Sequence, residues 1–209
     1  MNRLPSFVRQ HLAGLRLLLV FTVITGIIYP LVMLAVAQTA FRDKANGSLV
    51  SYHGRTIGSS LLCQEFVNAK GDPLPQYFQP RPSAATSGAS NDYGCDPLYS
   101  AASNLGPNNP NLIAMIKARQ KQISAFDHVP ISRIPSDAVT ASGSGLDPEI
   151  SLANAGIQVN RVAAARHISP AQVEALVKKY TSGRSLGFLG EPGVNVLLLN
   201  RALDEKYRV

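Results

Sequence analysis

The sequence predicts an α+β protein in which one transmembrane helix precedes a single mixed soluble domain, helix-rich in its C-terminal half. Three observations lead to this class. An uncharged run occupies residues 17–37, short β-branched stretches follow it, and three later segments each begin with a helix-capping residue followed by proline. Because the chain has 209 residues, the part after the run is long enough for one ordinary domain with its own core.

The uncharged run, LLLVFTVITGIIYPLVMLAVA, extends over 21 residues from Leu17 to Ala37. As a helix it rises about 31 Å, which matches the hydrocarbon core of a bilayer. Small residues are tolerated in lipid where they face another helix, and Pro30 frees a carbonyl that a neighbour must satisfy. We therefore predict that the face carrying Gly26, Tyr29 and Pro30 packs on a partner helix.

The run also ends in Ala-Val-Ala, the small-x-small form of a signal-peptidase site, and a basic tail precedes it. A secretory core is usually about 7–15 residues long, so the longer run favours a retained anchor over cleavage after Ala37. Long translocated domains are largely exempt from the charge count, so the basic tail should stay inside. The expected organisation is a cytoplasmic tail over 1–16, a transmembrane helix over 17–37 and an extracytoplasmic domain over 38–209.

The first half of the domain is expected to contain few regular elements. Ser48–Gln64 mixes β-branched and apolar residues around a His53-Gly54 turn, which predicts a hairpin or two short strands. Asp72–Pro110 is rich in proline, glycine, serine and asparagine. Because a structureless loop of that length is unusual in a compact domain, we expect an ordered surface loop with definite attachment points. The candidate attachment points are Tyr77, Phe78 and Arg81.

Helices are expected to dominate the second half. Asn109-Pro110 and Asp147-Pro148 each combine a capping residue with proline at the first helical position. Ser169 repeats this pattern as a capping box with Gln172. Val194–Tyr207 predicts a terminal helix whose first residues also fit a buried strand.

Enzyme chemistry has little support in the residues. The sequence contains no GxSxG elbow, no HExxH motif and no Walker A lysine, and its four histidines are isolated. No Cys/His spacing fits a metal site, so we expect no catalytic residue and no metal ligand set. After residue 37, 17 basic and 13 acidic residues are scattered along the chain. This scatter argues against nucleic acid as a partner, although Ile168–Tyr180 could form part of a helix-turn-helix in a cytoplasmic domain.

Cys63 and Cys95 are the two cysteines of the chain. An even number in an extracytoplasmic domain allows one disulfide, whereas two buried thiols explain the residues equally well. The sequence leaves both alternatives open.

The most unusual local sequence is Val139–Ser151, which contains the turn Ser142, Gly143, Ser144 and Gly145. The backbone amides and hydroxyls of this turn, placed just before a predicted helix N-terminus, would suit an anion. A tight turn, with Asp147 capping the helix that follows, explains the same residues structurally. We retain the turn as a candidate nucleotide or anion site beside this structural explanation.

Several separated strings together resemble one family, the C subunit of the Kdp potassium-transporting ATPase. The resemblance covers nearly the whole chain in the expected order, and its most specific part is VTASGSGLD. The strings are Thr25-Gly26, Tyr29–Leu31, Ala45–Leu49, Tyr77-Phe78, Arg81–Ala84, Ser103–Pro107, Val139–Ser151, Gln158, Arg161–Ala163, Ala165-Arg166, Val194–Leu197, Leu199-Asn200 and Ala202–Asp204.

The resemblance implies a non-catalytic accessory subunit of an ATP-driven potassium import complex in a bacterial inner membrane. Its partners would be a potassium-selecting channel-like subunit, an ATP-hydrolysing subunit and a small single-span subunit. The family is described as a catalytic chaperone that raises the ATP affinity of the hydrolysing subunit. No cofactor would be bound tightly, and ATP would act through that catalytic subunit.

The predicted topology conflicts with direct ATP contact, because an extracytoplasmic domain cannot touch cytosolic ATP. An effect on nucleotide affinity must then pass through the span and the partner subunits as a coupling free energy. Direct contact at Ser142–Gly145 requires the opposite orientation. The alternative from another class is a stand-alone extracytoplasmic binding protein released by cleavage after Ala37.

Overall fold

The computed structural model describes residues 5–89 and 93–208. It contains two compact units, Met1–Ser48 and Leu49–Val209. The first unit is helical, and the second mixes helices with two small sheets. This is the α+β class with a preceding apolar helix that the sequence predicts.

The first unit contains one long helical run, Ser6–Ala40. It consists of α1 (Ser6–Val23), a π-helical turn (Ile24–Ile28) and α2 (Tyr29–Ala40), and the short helix α3 (Arg42–Ala45) follows. The 35 residues of the run extend over about 52 Å, so the helix is longer than the predicted 17–37 segment. It is long and apolar enough to cross a membrane, with a mean hydropathy of 2.5 in its most apolar window.

The position of the π-helical turn is explained by Pro30. A proline at this position has no N–H for the carbonyl of Gly26, four residues earlier, and its ring crowds that carbonyl. A wider turn over Ile24–Ile28 accommodates the missing hydrogen bond without ending the helix. Pro30 therefore coincides with a π-helical turn within a continuing helix.

The second unit begins with the predicted hairpin. Strand β1 (Leu49–Tyr52) pairs antiparallel with β2 (Arg55–Ser59). The turn residues His53 and Gly54 both have positive φ, 48° and 77°, as two-residue hairpin turns require. The strand pattern and the turn signal in the sequence are thus both confirmed.

Residues 60–109 form the loop segment between the hairpin and the first long helix. In its described residues, 60–89 and 93–109, no named helix or strand occurs, and Val67 and Pro73 form an isolated bridge. The predicted loop over residues 72–110 falls within this segment, apart from residues 90–92, which lie outside the described residues, and Pro110, which begins the next helix. One of its predicted attachment points lies deeper than a surface loop implies. Phe78 is fully buried in the core of the unit.

The next helix, α4 (Pro110–Asp127), begins where the sequence predicts. Asn109 caps it, since its side chain accepts a hydrogen bond from the amide of Asn111. The helix ends at His128, which has a left-handed backbone. A 3₁₀ turn (Ile131–Arg133) and the short helix α5 (Ser136–Val139) follow.

The predicted helix start at Asp147-Pro148 is wrong. The chain stays extended as β3 (Glu149–Ile150), and α6 (Leu152–Ala165) begins only after Ser151, whose side chain accepts from the amide of Asn154. The carbonyl of Pro148 accepts from the amide of Val196, which holds the chain in the sheet. A partner 48 residues downstream therefore overrides the local capping signal.

The small sheet has the strand order β3-β5-β4, with both pairs antiparallel. Strand β4 comprises Thr181–Ser182, and β5 comprises Gly193–Asn195. Helix α7 (Pro170–Lys179) precedes β4 and has the predicted capping box of Ser169 and Gln172. Helix α8 (Val196–Lys206) follows β5 directly. Both alternatives for the terminal segment are realised, because the strand ends where the helix begins.

The core lies among α6, α7, α8, β3 and β5, with one residue from the loop. Apolar residues at helical spacing supply most of it, as amphipathic helices packed around a shared core do. The buried cluster consists of Phe78, Ile150, Ala155, Val159, Val162, Ala163, Val173, Leu176, Val194, Val196, Leu199, Ala202 and Leu203.

Candidate functional site

The face predicted to meet a partner helix lies around the π-helical turn. A Cβ atom placed on Gly26 would meet no other atom within 4 Å, and Tyr29 is exposed. The neighbouring hydroxyls of Thr22 and Thr25 donate to carbonyls four residues earlier in the same helix. Polar groups here are satisfied locally, while the surface at Gly26 can receive a closely packed neighbour. Packing by Gly26, Tyr29 and Pro30 on a partner stays a prediction.

Residues 75–79 of the loop, here called the docked segment, are bound by side chains of α6 and α8. Asn200 both accepts from the amide and donates to the carbonyl of Phe78, at 2.9 Å each. Gln158 does the same for Gln79, at 2.7 and 3.2 Å. Two carboxamides thus replace the partner strand that would otherwise satisfy this extended backbone.

Two buried arginines complete the binding of the docked segment. Arg161 donates through Nη1 to the carbonyls of Pro75 and Tyr77, at 2.7 and 2.8 Å. Arg166 donates through Nε to the carbonyl of Gln76 at 2.7 Å. Every residue from 75 to 79 therefore has a backbone group bonded to a side chain of α6, of α8 or of Arg166, the residue that follows α6.

Both arginines are also ion-paired. Arg161 contacts Asp127 at the end of α4 at 2.6 Å, and both side chains are at least 95% buried. Burial raises the pKa of Asp127 above its ordinary value, although the Arg161 guanidinium favours the carboxylate. Arg166 contacts Asp204 at 2.7 Å. The first pair joins the end of α4 to α6, and the second joins the end of α6 to α8. Both arginines also bind the docked segment.

The two cysteines form a disulfide, Cys63–Cys95. The alternative of two buried thiols is therefore wrong, and the loop is closed covalently across a separation of 32 residues. The docked segment lies within the closed stretch.

The candidate anion turn, Ser142–Gly145, contacts the outer part of the loop. Four hydrogen bonds join the two regions, so the turn supports the loop at residues 82–83 and 100–101. They run from Ser142 N to Pro82 O (3.3 Å), from Ala101 N and Ser100 Oγ to Ser144 O (3.0 Å each), and from Ser83 Oγ to Gly145 O (2.6 Å).

The two glycines of this turn differ in their surroundings. Gly145 has a φ of +72°, and a Cβ atom there would lie 2.6 Å from the carbonyl oxygen of Ala101. A Cβ atom on Gly143 would meet nothing within 4 Å. The next helix after the turn begins at Leu152 rather than at Asp147-Pro148, so the amides of a helix N-terminus do not follow it directly. Nucleotide or anion binding at Ser142–Gly145 stays a prediction.

A cleft of about 530 Å³ lies between the loop and the helices α4 and α6. This volume falls in the range of ligand and side-chain pockets, about 300–1,000 Å³. Apolar residues from both walls line much of it, including Pro73, Pro80, Pro82, Ile123 and Phe126.

Two arginines line the same cleft. Arg81 pairs with Asp147 through Nη1 at 3.0 Å, but its buried Nε has no hydrogen-bond partner among the described residues. Arg119 donates to the carbonyl of Val139 at 2.9 Å, and burial lowers its pKa. The sequence indicates Arg81 as an attachment point but offers no signal for Arg119, which lies between Lys117 and Lys121 on one helix.

Among residues 5–89 and 93–208, no group of three or more His, Cys, Asp or Glu side chains could hold a metal ion. What the described residues do offer is an exposed apolar helix, a disulfide-closed domain and a cleft with an arginine. These features define a class: a candidate single-span protein with one folded domain and surfaces suited to binding.

Comparison with known proteins identifies the family. The family model described as "KdpC: K+-transporting ATPase, c chain" matches residues 11–205. A "Potassium-transporting ATPase KdpC subunit" from Mycobacterium bovis (strain BCG / Pasteur 1173P2) is 50% identical over 197 residues, covering 94% of this chain and 98% of the relative. A protein of the same name from Sorangium cellulosum (strain So ce56) is 51% identical over 191 residues, covering 91% and 95%. The chain belongs to the KdpC family, and the resemblance stated from its sequence is confirmed.

Proposed function

We propose that this chain is a membrane-anchored accessory subunit of an ATP-driven potassium import complex, with a role in assembly. The observation that carries the proposal is the family match, which begins at residue 11 and includes the whole apolar run. Its partners would be a potassium-selecting channel-like subunit, an ATP-hydrolysing subunit and a small single-span subunit. The helix Ser6–Ala40 would anchor it in the bacterial inner membrane, with the N-terminus in the cytoplasm.

The disulfide supports a domain outside the cytoplasm. Disulfides persist in oxidising compartments such as the bacterial periplasm and are rare where thiol reductants are abundant. The Cys63–Cys95 bond closes the stretch that carries the docked segment, so it contributes to the structure of the domain and not to a peripheral loop alone. This agrees with the orientation that the short basic tail favours.

An extracytoplasmic domain would influence ATP affinity only indirectly. The proposed effect is a coupling free energy: the subunit binds one state of the complex better, and that state binds ATP better. The turn at Ser142–Gly145 offers limited support for direct contact, because several of its backbone groups already bond to the loop. No tightly bound cofactor is required, since ATP would act through the hydrolysing subunit.

Topology is tested with a single cysteine placed on the exposed surface of α7, Ala175→Cys, in the membrane-bound full chain. The native cysteines are paired and buried, so they need no replacement. A membrane-impermeant thiol reagent should label this variant in intact spheroplasts, whereas Ser6→Cys should be labelled only after lysis. The reverse pattern would place the domain in the cytoplasm and favour direct action on ATP.

Anchoring and partner packing are tested together. An unshortened mass of the membrane protein supports a retained helix, whereas loss of the first 37 residues supports the released binding protein. Gly26→Leu should reduce co-purification of the partner subunits, because the larger side chain keeps a neighbouring helix away. Gly14→Leu is the matched control, since a Cβ atom at either glycine meets nothing within 4 Å. Equal co-purification of the two variants would contradict packing at Gly26.

A further inference from the structure

We infer that the cleft beside α4 receives a carboxylate side chain from a partner subunit, with Arg119 as its anchor. The inference rests on the proposed function only in requiring that the chain be part of a complex. It concerns a different part of the molecule from the membrane helix and from the turn at Ser142–Gly145.

The charge of Arg119 is the first observation. The side chain is partly buried, and its one hydrogen bond in the described structure goes to a neutral carbonyl, that of Val139. No carboxylate lies within 4 Å of it among the described residues. A guanidinium has five N–H donors, so most of its hydrogen-bonding capacity remains for another group. Removing it from water without a counter-ion is costly unless an acceptor is supplied.

The other charged groups around the cleft already have partners. Asp127 is paired with Arg161, and Arg81 with Asp147. The carboxylate of Asp72 accepts from the side-chain carboxamide of Asn68, and Glu65 also has a partner. No acidic residue of the cleft therefore neutralises Arg119, which makes it the group that an incoming anion would meet.

A second donor points to the same chemistry. Arg81 also lines the cleft, and its buried Nε atom has no hydrogen-bond acceptor among residues 5–89 and 93–208. Unsatisfied buried donors are rare and cost stability, and because this atom is not accessible, an entering carboxylate would reach it only after the Arg81 side chain turns towards the cleft. An entering carboxylate has two oxygens and about four lone-pair sites, which suits planar guanidinium groups.

The walls of the cleft favour a side chain on a protein segment over a bare ion. Pro73, Pro80 and Pro82 present rings without backbone donors, and Ile123 and Phe126 continue this apolar surface on α4. A bare inorganic anion would leave these surfaces wet, whereas aliphatic carbons beside an aspartate or glutamate would cover them. The volume of about 530 Å³ exceeds what one carboxylate needs and accommodates neighbouring groups as well.

The test uses the assembled complex and three variants. Arg119→Gln removes the charge, Arg119→Lys keeps the charge but loses the planar fork, and Lys117→Gln removes an exposed charge from the same helix outside the cleft. We expect Arg119→Gln to weaken association with the partner subunits at least about tenfold, because the carboxylate of the partner would enter the cleft without its counter-ion. Arg119→Lys should have a smaller effect, and Lys117→Gln should resemble the native chain. Thermal unfolding of each purified chain in detergent checks that the domain remains folded.

A photocrosslinking amino acid in place of Gln122, which lines the cleft, identifies the occupant. With the reagent at position 122 we expect a covalent product with a partner subunit, at a segment that contains aspartate or glutamate. With the same reagent in place of Lys117 we expect no product. The inference requires both the weakened association of Arg119→Gln and the crosslink at position 122. Native assembly of a folded Arg119→Gln variant, or absence of the crosslink at position 122, overturns the inference, as does a crosslinked segment without an acidic residue. If the native chain itself fails to co-purify with partners, the proposed function fails instead.

Discussion

The helices of residues 149–208 and the loop of residues 60–109 are ordered by different means. The helical region packs apolar side chains at regular spacing around one core. The loop contributes Phe78 to that core and is also bound by a disulfide, by side chains that bond to its backbone, and by the turn Ser142–Gly145. A region without repetitive structure thus depends on a few long-range attachments. Each of them should contribute more to the free energy of unfolding than a typical contact does.

The largest effect is expected at the buried ion pair that joins the two regions. Arg161→Met should lower the free energy of unfolding by about 3–5 kcal/mol, because it leaves Asp127 buried without its counter-ion. It also removes the donors to the carbonyls of Pro75 and Tyr77. Denaturant titration of the full chain in detergent measures the change. Arg201→Met is the control, since its pair with Glu205 is exposed and should contribute about 0–1 kcal/mol.

Removal of the disulfide should have the next-largest effect on the free energy of unfolding. Its effect on local stability should be greatest in the loop. Replacing both cysteines with serine is expected to cost about 4 kcal/mol, because closing a stretch with a separation of 32 residues restricts the unfolded chain. Limited proteolysis should then cut residues 64–94 faster than residues 149–208. Equal acceleration in the two regions would mean that the crosslink supports the whole domain rather than the loop.

A smaller effect is expected at the turn that supports the outer loop. Gly145→Ala should destabilise the domain by about 1–3 kcal/mol, because alanine disfavours a positive φ and its Cβ would press on Ala101. Gly143→Ala should change the free energy of unfolding much less, since its Cβ meets open space. Thermal unfolding of the two variants compares them directly. Similar losses at both positions would contradict the positive φ and the close contact with Ala101 as the reasons for glycine at 145.

The smallest effect tests the helical region alone. Ser169→Ala removes the cap of α7 and should cost about 1 kcal/mol. Because the capping box lies far from the docked segment in the chain, proteolysis of the loop should remain unchanged. A loop that became more susceptible would show that the two regions are more strongly coupled than their separate attachments suggest.

The same contrast explains what the sequence could predict. Local signals identified the hairpin turn at His53-Gly54 and the caps at Asn109 and Ser169, because turn and cap preferences act within a few residues. The start at Asp147-Pro148 was wrong although its signal was equally good, because the hydrogen bond from Val196 to Pro148 is non-local.

The candidate sites divide in the same way. Gly26 and Pro30 could be recognised within one helix, since the proline and the carbonyl it frees are four residues apart. Arg119 could not, because its importance arises only when α4 and the loop form two walls of one cleft. Its neighbours Lys117 and Lys121 are also basic residues of the same helix, but they lie outside that cleft.

The Cys63–Cys95 bond also affects the order in which this chain matures. The residues that bind the docked segment, Gln158, Arg161, Arg166 and Asn200, are all synthesised after Cys95. Oxidation can therefore close residues 64–94 into a ring before the helices that bind it exist. The late-made helices then meet a segment with fewer conformations to lose, so its docking costs less entropy than the capture of an open chain.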